Sequence, residues 1–128
     1  MAADVGEADV RGFSLISAIG RIAIGLGMLA APEPALRALG FSEVSPATVA
    51  VSRIAGVRDL VLGAVTLAAL EDAGRLRVAT LANAVADAGD TGAFALAIRA
   101  EEGTAGLRGV ATALPATLAG IWVAWRLS

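Results

Sequence analysis

At 128 residues the chain is long enough for one domain and too short for two. Apolar residues make up 57 % of it and charged residues 17 %, with a mean hydropathy of +0.75; a soluble helical bundle needs a polar face on every surface helix, and this composition cannot supply four. The net charge of −2 gives no case for a nucleic-acid partner, and the lack of Cys and His excludes thiolate and imidazole metal sites, His-ligated haem, and Cys or His catalysis.

The opening "MAADVGEADVRG" is acidic, whereas a secretory signal starts with a basic region. The first apolar segment, 13–31, is therefore expected to be retained as a membrane helix. "APEP" stops it, because proline lacks an N–H and restricts the residue before it. "ALRALGF" reads as a short interfacial helix ended by Gly40. Ser45-Pro46 is a start signal, Ser as cap and Pro at the first helical position, and opens a second span at 47–70. "EDAGRLR" turns into a third span at 78–98, and "RAEEGTAG" into a fourth at 107–125. Each segment has about 19–24 residues, against the roughly 20 that cross the hydrocarbon of a bilayer. Short connections make neighbours antiparallel, so the expected fold is all-α, an up-down four-helix transmembrane bundle. Arg11, Arg75, Arg77 and Arg126 on one side outnumber Arg37, Arg99 and Arg108 on the other, which predicts both termini in the cytoplasm of a multi-pass plasma-membrane protein.

Charges interrupt the apolar material at helical spacing. In the first span Ser14, Ser17, Arg21, Gly25 and Met28 form one stripe. In the second, Gly56, Asp59 and Gly63 share a face, with Arg53 about one sixth of a turn away and Arg58 across the helix. In the third, Asn83, Asp87 and Asp90 stand at i, i+4 and i+7. Arg21, Arg53 and Arg58 thus oppose Asp59, Asp87 and Asp90. One unpaired charge at mid-bilayer costs about 2.5–3.5 kcal/mol, so the six are expected to turn inward and pair. Pairing alone is weak support for stability, because desolvation offsets most of the attraction. Ionisable residues inside a membrane bundle therefore mark a functional site. Gly20, Gly25, Gly27, Gly56, Gly63, Gly89, Gly92 and Gly120 are expected to let helices approach closely.

These residues resemble a known family. Arg21 and Gly25, Pro32 after the first span, Gly40-Phe41, the run Arg53-Ile54-x-Gly56-x-Arg58-Asp59-Leu60-x-Leu62-Gly63, and Asp87-x-x-Asp90 are similar to the DoxX-like superfamily of small four-helix membrane proteins, in a branch known only as a domain of unknown function. The resemblance covers about residues 13–98 and implies fold and location, not an activity.

The leading functional expectation is a site inside the bundle for a small, partly lipophilic or anionic molecule. Arg21, Arg53, Arg58 and Asn83 would contact the ligand, and Asp59, Asp87 and Asp90 would orient the arginines or accept from ligand hydroxyls. The first alternative is a membrane enzyme that isomerises, cyclises or opens an epoxide, with Asp87 or Asp90 as acid and Asp59 as base. Proton-coupled transport through Asp87 and Asp90, and a structural subunit whose charges set helix register, complete the set. The partners expected are the lipid bilayer, a small lipophilic molecule and further copies of the chain in a homo-oligomer. No metal or cofactor is expected.

Overall fold

The computed structural model describes residues 2–99 and 103–128, and all its regular structure is helical. The elements are α1 (Ala2–Ala30), α2 (Pro32–Ala38), α3 (Pro46–Ala69), α4 (Ala73–Arg99) and α5 (Gly103–Arg126). The helical segments begin and end close to the expected spans, except at the N-terminus. There α1 starts at Ala2 rather than Phe13, and the added turns carry Val10 into a buried cluster. The connection "RAEEGTAG" lies partly outside the described residues.

The local signals act as their chemistry dictates. Ser45 Oγ accepts from the Thr48 N–H at 3.1 Å, with Pro46 at the first helical position of α3. Gly40 adopts φ 97°, the left-handed conformation that lets the chain leave α2. Asp72 Oδ1 accepts from the Arg75 N–H at 2.9 Å and opens α4.

The long helices assemble as two close pairs, α1 with α3 and α4 with α5; α3 and α4 touch less extensively. Glycine sets the first pair. A Cβ at Gly25 would lie 2.6 Å from the Gly56 carbonyl oxygen, and one at Gly63 would lie 2.8 Å from that of Ala18. The two backbones therefore run in contact. At the end carrying both termini, Val10, Ala69, Leu76, Ala79 and Val123 close the four long helices around an apolar cluster. Phe13 meets Trp122 edge-on at 6.4 Å there, and Arg126 lies over the Trp122 ring.

Elsewhere the interior is small and polar. Ser14, Ser52, Asp59, Thr66, Thr80, Asn83, Asp87 and Thr117 are buried, while large apolar side chains on α1, α3, α4 and α5 are exposed. By length and composition, two helices can cross a membrane: α1 over Ala8–Ala30 and α5 over Gly106–Arg126. The expected four spans are thus met in helix number and position, and by this criterion in two of the four.

Candidate functional site

Contact between α1 and α3 brings Arg21 against Asp59. The Arg21 stripe and the Gly56–Asp59–Gly63 face are the surfaces that meet. Arg21 Nη1 donates to Asp59 Oδ1 at 3.0 Å, and Arg21 Nη2 donates to Asp87 Oδ2 on α4. One guanidinium therefore joins three helices through two carboxylates.

Arg58 extends the chain. Its Nη1 and Nη2 hold Asp90 Oδ1 and Oδ2 at 2.6 and 2.7 Å, a fork-to-fork pair across α3 and α4. Nη2 also donates to Asp59 Oδ1 at 3.3 Å. The result is one continuous network, Asp87–Arg21–Asp59–Arg58–Asp90. Three carboxylates against two guanidiniums leave it one formal negative charge.

Arg53 stands apart. It is exposed on α3, and among the described residues it forms no ion pair. Six residues turn Arg53 about 120° from Asp59, to the flank of α3 opposite Arg58 and away from α4, so the expected cluster of three arginines and three aspartates is corrected to two arginines and three aspartates. Asn83 is buried one turn along α4 from Asp87, and its Nδ2 donates to Thr66 Oγ1 on α3 at 2.9 Å. It ties the α3–α4 seam and makes no bond to the charged network. Ser14 donates to the Val10 carbonyl of its own helix at 2.8 Å rather than across an interface.

The network is not fully satisfied. Arg21 Nε, Arg58 Nε, Ser52 Oγ and Asn83 Oδ1 are buried without a partner in the chain. Among the described residues, Asp59 Oδ2 and Asp87 Oδ1 accept no hydrogen bond either. Ser52 and Thr66 were not singled out as site residues from the sequence. Their spacing from Asp59, seven residues to either side, places them on its face of α3. No group of three or more Asp or Glu side chains is arranged to hold a metal ion among the described residues. Compared with protein families, curated proteins and solved structures, the chain matches none.

Proposed function

We propose that the chain is a multi-pass membrane protein in which α1, α3, α4 and α5 all cross the bilayer, and that the network on Arg21, Asp59 and Asp87 is its binding site for a small, partly lipophilic molecule. One observation carries the reading. Asp59 and Asp87 are 6 % exposed, whereas Ile16 and Val85 are 73 % exposed. Charges inside and large aliphatics outside is the arrangement that lipid favours and water opposes. The charges that dilute the apolar character of α3 and α4 include Asp59 and Asp87, which turn away from the outer surface. The resemblance to the DoxX-like superfamily implies the same placement, and the excess of Arg11, Arg75, Arg77 and Arg126 on one side favours both termini in the cytoplasm.

The geometry narrows the ligand. Both guanidinium forks are already engaged by carboxylates, so an anion would have to displace one of them. The unengaged groups on Asp59 and Asp87 are acceptors, and the network carries an excess negative charge. A lipophilic molecule bearing a hydroxyl or an ammonium group fits that chemistry better than a carboxylate or phosphate.

A second reading, acid–base catalysis on a lipophilic substrate, is favoured by the flanking of Arg21. Asp59 and Asp87 grip opposite nitrogens of one guanidinium, and each presents an oxygen toward which a substrate proton can move. Mass spectrometry of the chain purified from membranes in mild detergent tests the binding reading. A co-purifying organic molecule is expected with the parent chain and with Arg53→Gln, and is expected to disappear with Asp87→Asn while the helical circular dichroism persists. Equal recovery from Asp87→Asn removes the site from this network.

A further inference from the structure

The Arg58–Asp90 pair differs from the rest of the network in what it faces. The side chains of Arg21, Asp59 and Asp87 are 11, 9 and 9 % exposed, those of Arg58 and Asp90 35 and 31 %. Both members lie on the outer face shared by α3 and α4. Ile54 and Val61, one turn before and one turn after Arg58, are exposed, as are Gly89 and Ala93 beside Asp90. A side chain added at Gly89 would meet nothing within 4 Å, so no packing inside the protomer uses this glycine. Two turns along, the same face becomes an apolar groove of about 500 Å³ that includes Val65 and Ala68 of α3 and Val78 and Ala82 of α4.

Depth makes this face a problem for a protomer alone in lipid. Arg58 lies roughly 18 Å along α3 from Pro46, at 1.5 Å per residue, near the middle of a spanning helix. Acyl chains offer no polar atom to a pair at that depth. A second copy does. Under a two-fold axis along the membrane normal, an Arg–Asp pair is its own complement: Arg58 of each chain stands level with the partner's Asp90. The Asp90 carboxylate has lone pairs beyond the two used by its own Arg58, and Arg58 Nη1 carries a second N–H beyond the one it gives to Asp90. Gly89 and Ala93 remove the bulk that would keep the helices apart.

We propose that the α3–α4 face is a homodimer interface, closed by reciprocal contacts between Arg58 and the partner's Asp90, which joins the two charged networks into one. The proposal rests on the multi-pass reading above. The chain has no cysteine, so single-Cys variants report contacts without background. In isolated membranes treated with a short bis-maleimide, Val61→Cys is expected to give a covalent dimer. Ile16→Cys on the outer face of α1 and Leu118→Cys on that of α5 are expected to stay monomeric. Adding Gly89→Leu to Val61→Cys is expected to cut the crosslink about tenfold (on the order of 1.4 kcal/mol at the interface), while the protomer keeps its helical signal. Absence of a Val61→Cys crosslink, with the chain retained in carbonate-washed membranes, assigns the face to lipid and overturns the dimer alone. Crosslinking as efficient from Ile16→Cys or Leu118→Cys also overturns it. Recovery of the chain in the aqueous fraction overturns the membrane reading, and the interface with it.

Discussion

The two helix pairs are held by different means. Between α1 and α3 the backbones touch at Gly25, Gly56 and Gly63, and a buried ion pair, Arg21 with Asp59, crosses the contact. Between α4 and α5 a ring replaces backbone contact and charge: a Cβ at Gly109 of α5 would run into the Phe94 ring of α4, one at Gly120 would lie 3.1 Å from that of Ala84, and among the described residues no ion pair links the two helices. The charged side chains that leave the first pair both reach α4, through Arg21 to Asp87 and Arg58 to Asp90. The seam between the pairs therefore depends on electrostatics where apolar packing is thin. Small residues fix which helices are neighbours, and the ion pairs fix how the two halves register.

That contrast can be broken at graded cost. The largest effect is expected from Arg21→Met, which leaves Asp59 and Asp87 buried without their shared cation. Removing one partner of a buried pair costs about 3–5 kcal/mol. Thermal unfolding followed by circular dichroism in detergent should show a lower midpoint than the parent, with Arg53→Gln unchanged. Next comes Gly56→Leu, whose added atoms meet the Gly25 carbonyl at 2.9 Å and Met28 at 3.0 Å. Overpacking of this kind costs about 1–3 kcal/mol. Gly120→Leu, the matching probe of the α4–α5 pair, whose first added atom meets Ala84 Cβ at 3.1 Å, should cost less in the same denaturation assay. Equal losses would show that the two contacts are equally tight. The smallest effect is expected from Asn83→Leu. It removes the bond to Thr66 together with an acceptor that has no partner, and interhelical hydrogen bonds in membrane bundles average about 0.6 kcal/mol. A large loss there would mean that Asn83 carries more of the seam than its one bond suggests.

Much of this arrangement was legible in residue spacing. Ser14 and Gly25, with Arg21 half-buried between them, and the face bearing Asn83 and Asp87 turn inward as three- and four-residue steps require. Ser45, Pro46 and Gly40 act as punctuation because their effects are local to the backbone. Partner choice was not legible. Arg58 reads as lying across α3 from Asp59, yet its long side chain reaches Asp90 on another helix and Asp59 as well. Nor could the eight glycines be ranked from the sequence. Gly25, Gly56 and Gly63 meet a neighbouring backbone, while Gly20, Gly27, Gly89 and Gly92 face open space. All lie in similar Ala-rich surroundings, and the distinction arises only once the helices have neighbours. Arg53 shows the converse: its offset is legible in the spacing, but which flank of α3 faces α4, and so which arginine meets the aspartates, is not.

The cluster of Val10, Ala69, Leu76, Ala79 and Val123 has a consequence for traffic. It puts a hydrocarbon floor under the polar column on the side of the termini. Water or a proton approaching Arg21 from that side has to pass closely packed apolar side chains.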